Sequence, residues 1–181
     1  MSGDLLLHAC CAPCSIFPSA FLRGKGRDFT LYFFNPNIQP YREFKRRLAA
    51  LREFAAAGGI KLAVDKSYPL EDFLVCALRE PIIRCHYCYK LRMRKTAEFA
   101  ANNGYGAFSA TLLGSPYQRH DEIAGFARAA AAEFGVSFEY YDFRPGFCEG
   151  EKTSRACGMY RQSYCGCVFS ERDRYEKKRK K

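Results

Sequence analysis

Leu5-Leu6-Leu7-His8-Ala9-Cys10-Cys11-Ala12-Pro13-Cys14 sets a short apolar run directly against three thiols. Leu5–His8 reads as a buried strand, and Cys10–Cys14 as the loop that follows, with Pro13 marking the turn. Ser15 is placed to cap a helix that has Pro18 near its first turn, and Gly24 and Gly26 end the unit. The same order then repeats. Phe29–Phe34 is aromatic and β-branched, a second buried strand, and Asn35-Pro36-Asn37 stops it. Tyr41–Ala57 carries Phe44, Leu48, Leu51, Phe54 and Ala55 at helical spacing with Arg and Lys between them, and Gly58-Gly59 ends it. Lys61–Val64 reads as a third strand and Leu70–Leu78 as a third helix. Leu91–Ala101 is another helical pattern, with Cys85–Cys88 at its start. Ala107–Leu113 follows as a fourth strand. The alanine-rich Asp121–Phe134 is a helix ending at Gly135, and Val136–Tyr140 a fifth strand. Phe143 to Cys167 is rich in Gly and aromatic residues and less regular.

Strand and helix alternate at connection lengths suited to βαβ units. The expected fold is therefore α/β: a three-layer, Rossmann-like parallel-sheet domain with helices on both faces and a less regular, cysteine-containing C-terminal segment. The chain reads as a single domain over residues 1–181, with 171–181 a basic C-terminal extension. Ligands of such folds bind at the carboxyl ends of the strands. The first cysteine group follows strand one, and Ser115–Asp121 follows strand four. Both are expected to open on the same edge of the sheet.

Ten cysteines stand in 181 residues, and seven of them are grouped: Cys10, Cys11 and Cys14; Cys85 and Cys88; Cys165 and Cys167. No signal peptide is expected, because Met1–Asp4 lacks a basic n-region and Leu5–Leu7 is too short for an h-region. No stretch approaches the ~20 apolar residues of a membrane span. A cytoplasmic protein with reduced, metal-binding or redox-active thiols follows. The net charge is +10, of which Glu171–Lys181 contributes +4, so the basic excess is spread over the chain. Such a surface attracts polyanions, although solubility alone would also account for it.

Cys85-His86-Tyr87-Cys88 is a C-x-x-C pair at a helix start. It can bind one metal atom, hold two corners of a cluster, or act as a redox dithiol. Adjacent Cys10 and Cys11 suit two neighbouring centres or two corners of a larger cluster. Cys165-Gly166-Cys167 suits a strained, easily reduced disulfide or two ligands on one metal. Seven thiols exceed the four of a structural zinc site and the four of one iron–sulfur cluster. The surplus suggests a cluster with a second redox or metal element beside it. The plainer reading is one zinc site plus buried free cysteines. Cys76 fits a core position, and nothing favours a role for Cys148 or Cys157.

Ser109 to Asp121 packs titratable groups into a strand-end loop. Tyr117, His120 and Asp121 are candidates to donate protons or orient a substrate, while Ser115 or Asp121 could equally cap the next helix. His8 reads as a core histidine with a satisfied partner. The amides of Asn35, Asn37 and Gln39 either read a ligand's polar edge or fix their turn.

His8 to Cys14; Tyr32-Phe33-Phe34-Asn35-Pro36-Asn37-Ile38; Arg84-Cys85-His86-Tyr87-Cys88-Tyr89; Ser109 to Leu113 with Ser115-Pro116; and Tyr160-Arg161-Gln162-Ser163-Tyr164-Cys165-Gly166-Cys167 stand in this order along the chain. Together these motifs resemble the QueH family, the cobalamin-independent epoxyqueuosine reductases. The resemblance runs over nearly the whole chain, in the same order. It implies a fold akin to the HUP type of nucleotide-binding α/β domain. It implies an oxidoreductase that removes the epoxide oxygen from epoxyqueuosine in transfer RNA, the last step of queuosine biosynthesis, with a 4Fe–4S cluster. By position, Cys10, Cys11, Cys85 and Cys88 would hold the cluster. Cys165 and Cys167 would form a redox-active pair or help bind an additional mononuclear iron. Cys14 stands where the family can carry an acidic residue, and is a candidate ligand of that second metal. The partners implied are the tRNA anticodon stem-loop and an electron donor such as a ferredoxin or flavodoxin. Arg42, Lys45, Arg46, Arg47 and Lys177–Lys181 are candidate phosphate contacts.

Three rivals remain at this point. A non-catalytic, zinc-stabilised RNA-binding module explains the charge and one quartet of cysteines. An ATP-using PP-loop-like enzyme needs a Gly/Ser-rich phosphate loop after strand one, where Cys10–Cys14 stands instead. A thiol redox sensor would need no basic surface.

Overall fold

A computed structural model describes residues 4–79 and 84–176. The strands β1 (Leu5–His8), β2 (Phe29–Phe33), β3 (Leu62–Val64), β4 (Ala107–Ala110) and β5 (Ser137–Phe138) form one sheet in the order β3-β2-β1-β4-β5. Every pairing is parallel. β1 is central, so both its faces are covered; Leu5, Leu6 and Leu7 are fully buried, which is why it reads as an unbroken apolar run. The α/β parallel-sheet expectation holds.

The helices are α1 (Ala12–Gly24), α2 (Tyr41–Ala57), α3 (Leu70–Arg79), α4 (Arg84–Asn102), α5 (His120–Phe134), α6 (Phe147–Ala156) and α7 (Val168–Tyr175). β2 and β3 lie to one side of β1, and β4 and β5 to the other. Right-handed crossovers then put α1 and α2 on one face and α4 and α5 on the opposite one. α1 packs on α2 and α6, and α4 along α5, in keeping with that arrangement. Small residues let the second pair approach closely: Ala97 and Ala100 of α4, and Ala124, Ala127 and Ala131 of α5, are buried.

The sheet reverses its winding between β1 and β4, the switch point at whose carboxyl strand ends ligands of such folds bind. His8 is paired with Tyr32 of β2 and with Ala110 of β4, so β1 and β4 finish level and β2 runs one residue further. The chain leaving β1 therefore meets the chain leaving β4 at once. No helix among the described residues is long and apolar enough to cross a membrane.

Several boundaries differ from expectation. The loop predicted over Cys10–Cys14 is cut short, because α1 begins at Ala12 with Cys11 as its N-cap. Pro13 sits in the first turn, where its missing N–H is no loss. Ser15 is not the cap: inside the helix, its Oγ donates back to the Cys11 carbonyl at 2.8 Å. The predicted fourth strand stops at Ala110, and Thr111–Gly114 coils into a 3₁₀ turn that buries Leu112 and Leu113. β5 keeps only Ser137–Phe138 of the expected Val136–Tyr140. The irregular stretch after Phe143 contains α6. Neither Ser115 nor Asp121 caps α5, whose N-cap is Arg119. α7 carries helix as far as Tyr175, into the segment read as a basic extension.

Candidate thiol-ligated active site

Three points of the chain supply thiols to the carboxyl edge of the sheet. The first is the β1–α1 junction. The Cys10, Cys11 and Cys14 sulfurs all lie within 4.8 Å of one another, with Cys10 and Cys11 at 3.6 Å. Cys11 is buried, and Cys10 and Cys14 are half-buried. The backbone N–H of Cys10 donates to Thr111 Oγ1 at 3.4 Å, joining the ends of β1 and β4. Hydrogen bonds from Cys11 and Cys14 hold the Cys10 thiol well below its ordinary range, and the same bonds push Cys11 and Cys14 up. The trio thus gives up one proton readily and resists losing the others, unless a cation replaces them.

The second point is α4, which places Cys85 and Cys88 in its first turns. Cys88 is pushed up to about 12, chiefly by burial, then by the charges of Cys165 and Cys167, with Arg92 opposing. Cys85 is raised by burial and by the same two thiols. Both α1 and α4 present their amino-terminal ends to sulfur, the polarity that favours thiolate.

The third point is the segment Tyr160–Cys167. Gln162 Nε2 donates to Cys11 Sγ at 3.0 Å and lies 3.7 Å from Cys14 Sγ. Cys165 Sγ accepts from Gln118 Nε2 at 3.3 Å, and Gln118 Oε1 accepts from Tyr89 at 2.8 Å. The segment is docked by its backbone. Arg47 donates from Nη1 to the Cys165 carbonyl at 2.8 Å and from Nη2 to the Tyr164 carbonyl at 3.0 Å. The Gln39 N–H donates to the Gly166 carbonyl at 2.8 Å, and Gln39 Oε1 accepts from the Val168 N–H at 3.1 Å.

Gly166 has φ +153°, and a Cβ there would lie 3.0 Å from Asn37 Nδ2, 3.3 Å from Ile38 Cγ1 and 3.4 Å from Arg47 Nη1. Gly166→Ala is therefore expected to lower stability by about 1–3 kcal/mol, the cost of an unfavourable backbone conformation. Thermal denaturation would check this, with faster proteolysis around Cys165–Cys167 as its local sign.

A family model described as "Epoxyqueuosine reductase QueH" matches residues 5–173. The chain belongs to the QueH family of epoxyqueuosine reductases. A QueH from Dehalococcoides mccartyi is 37% identical over 177 residues, covering 98% of this chain and 97% of its own length. One from Thermotoga maritima is 34% identical, covering 97% and 94%. One from Histophilus somni is 36% identical, covering 94% of this chain and 73% of the relative. The QueH family is one of oxidoreductases.

The QueH motifs thus fall where three segments meet, but not every residue singled out in them faces the thiols. Cys14 joins Cys10 and Cys11 in the tight group. Tyr117 is 84% exposed at the loop tip, its ring edge-on to Phe147. Asp121 is exposed, and His120 Nε2 is bound to the Tyr140 hydroxyl at 2.8 Å. Gln118, between those candidates in sequence, touches the Cys165 sulfur instead, and Thr111 Oγ1 lies 3.7 Å from Cys10 Sγ.

Asn35 and Gln39 spend their amides internally. Asn35 donates to the Ala9 carbonyl at 2.9 Å and accepts from Arg92, and Gln39 Nε2 donates to the Pro36 carbonyl at 3.2 Å. His8 is a core histidine with Nε2 3.0 Å from the Phe34 carbonyl; burial and Arg92 lower it to about 3, so it is neutral.

Arg47 is 1% exposed and cannot reach a phosphate, which corrects its reading as an RNA contact. Arg42, Lys45 and Arg46 are exposed on the first turns of α2, with Lys45 over the Tyr41 ring and Arg46 over Tyr160. The 177–181 tail lies outside the described residues. Cys76 is half-buried and Cys148 and Cys157 are exposed, apart from the thiol group.

Proposed function

We propose that this chain reduces epoxyqueuosine to queuosine in transfer RNA, the last step of queuosine biosynthesis, at a sulfur-ligated iron centre. The observation that carries the reading is the bond from Gln162 to Cys11, which ties the Tyr160–Cys167 motif to the first thiol group. The donor set suits the cofactor: soft thiolates gathered at two helix amino termini are ligands for iron–sulfur clusters or zinc rather than for hard cations. Cys10, Cys11, Cys85 and Cys88 would hold a 4Fe–4S cluster, and Cys14 is a candidate ligand for an additional iron. Such a cluster, when bound, supplies electrons singly.

Deoxygenation of an epoxide consumes two electrons and two protons and releases water, leaving the alkene. Cys165 and Cys167 can supply both. As a dithiol they carry two electrons and two protons, given up as a disulfide forms. An external donor of the ferredoxin or flavodoxin class would then restore the dithiol. Tyr117 and Asp121, open to an incoming base, are our candidates to relay the protons; His120, bound to Tyr140, is less free to do so.

The modified base would have to leave its loop to reach the thiols at the carboxyl ends of β1 and β4. Exposed Arg42, Lys45 and Arg46 stand where α2 leaves the Gln39–Gly166 contact, placed to hold the stem-loop's phosphates.

The decisive experiment is anaerobic. Purified protein is analysed for iron, zinc and sulfide, then incubated with reductant and tRNA carrying epoxyqueuosine, and the nucleosides are weighed by mass spectrometry. Brown protein with iron and sulfide, and loss of one oxygen from the nucleoside, is the expected result. Colourless, zinc-loaded protein without conversion would favour the RNA-binding module instead. Binding of the tRNA should weaken as salt is raised.

A further inference from the structure

The two arginines buried most deeply in this chain are neutralised in different ways. Arg47 lies 2.7 Å from the Glu43 carboxylate. Arg92 is 2% exposed and has no carboxylate partner among the described residues. Its Nη2 donates to Asn35 Oδ1 at 2.7 Å, its Nε lies 3.4 Å from His8 Nε2, and its Nη1 is 4.0 Å from Cys88 Sγ. An amide and an imidazole bring no negative charge. Sulfur is the remaining partner. On α4, Arg92 follows Cys88 by four residues and Cys85 by seven, so all three share one helix face. A guanidinium removed from water with no carboxylate beside it, and with only the readily deprotonated Cys10 to offset it before metal binds, weighs against folding. The sequence keeps it nevertheless, beside Cys88 and within electrostatic reach of Cys10 and Cys165.

We propose that Arg92 is the built-in counter-charge of the sulfur centre, a burden on the metal-free chain and a support of the loaded one. The inference rests on the reading that the thiols hold a metal centre. Thiolates around a metal–sulfide core leave the whole assembly anionic, and a buried cation beside it offsets that charge. Reduction adds further negative charge, so the same cation eases reduction. Net charge is one of the quantities that set a cluster's potential. Arg92 acts here as a positioning residue, with no contact to substrate. Through Asn35, which also bonds the Ala9 carbonyl, it ties the α4 pair to the ends of β1 and β2.

The test compares the wild-type chain with Arg92→Gln and Arg92→Lys, each full length, loaded anaerobically or stripped by chelator under reductant. Glutamine keeps a donor for Asn35 and removes the charge. Lysine keeps the charge and loses the planar fork. For Arg92→Gln the expected results are a stripped chain that melts no lower than wild type and a loaded chain that melts lower. Chelator should extract iron at least tenfold faster, and the centre's midpoint should move to more negative potential. A tenfold change in a one-electron equilibrium corresponds to ~59 mV. Arg92→Lys should recover most of both.

Equal loss of stability in the stripped and loaded forms would overturn the proposal, as would failure of stripped Arg92→Gln to fold. Either makes the guanidinium a simple strut. A folded variant with unchanged metal retention and midpoint would overturn it as well. The proposal and the function fail separately: wild-type protein that binds zinc and converts nothing rejects the reductase reading. The comparison of metal release between wild type and Arg92→Gln can still be made with zinc.

Discussion

Replacing Cys165 or Cys167 with serine is expected to bring turnover down to background while the chain stays folded and keeps its cluster iron and sulfide. The fold should survive because neither side chain anchors the segment. The Gln39 N–H, the Gln39 side chain and the Arg47 guanidinium hold it through the carbonyls of Tyr164, Cys165 and Gly166 and the N–H of Val168. Gln118 can donate to a serine Oγ as it does to Cys165 Sγ. Serine is isosteric but holds no electrons at accessible potentials, so the chemistry alone is removed. One intervening residue gives a strained ring if the two sulfurs join, and strain makes a disulfide easily reduced again, as a turnover pair requires. Anaerobic metal analysis and the nucleoside assay on the same preparation separate the possible roles. Retained iron with lost turnover fits the redox pair. Loss of part of the iron with sulfide unchanged makes the two thiols ligands of an additional iron. Unchanged turnover rejects both.

Much of the scaffold is legible because it obeys local rules. Phe29 to Phe33 is a strand rich in residues that suit a pleated, covered surface, and Tyr41–Ala57 has an apolar stripe and a Gly-Gly end, so both elements begin where expected. The grouping of thiols is also local, and spacing reveals it. The misses arise where long-range packing decides. Leu112 and Leu113 read as strand because they are apolar, yet β4 has already reached the level end of the sheet, and burial in a 3₁₀ turn serves them as well. α6 is hidden by Glu149, Gly150, Glu151 and Lys152, a run with no apolar stripe. Its place is set by close approach to α1, where a Cβ on Gly150 would lie 3.5 Å from the Pro13 carbonyl. Gln162 and Cys11 are 151 residues apart, and no pattern in sequence announces their contact. Arg47 did carry a signal. It lies in the stripe of Phe44, Leu48 and Leu51, four residues after Glu43, a spacing that pairs charges on a helix. A basic residue in an apolar stripe with an acid one turn earlier is a buried ion pair in outline.

That pair carries the other large expected effect. Arg47→Leu should destabilise the protein by about 3–5 kcal/mol, the loss typical when one partner of a buried ion pair is removed. The melting temperature should then fall by roughly 6–20 °C for a chain of this size. Three consequences add up. Glu43 Oε1 loses its partner at 2.7 Å while remaining buried. The carbonyls of Tyr164 and Cys165 lose their donors. The guanidinium also leaves the face of the Tyr164 ring, whose centroid is 5.5 Å away. Tyr160 still donates to Glu43 Oε2, so the carboxylate is not wholly bare, but one hydroxyl does not neutralise it. Glu43→Leu in the Arg47→Leu background should restore part of the loss, because the stranded charge accounts for much of it. The carbonyls stay orphaned in the double variant, so it should remain less stable than wild type. Additive losses in the double variant would instead place the cost in packing. The same carbonyls belong to the Cys165–Cys167 segment, so Arg47→Leu should also expose that segment to proteolysis before the rest of the chain unfolds. Cleavage no faster than in the wild type would mean that Gln39 alone suffices to hold it.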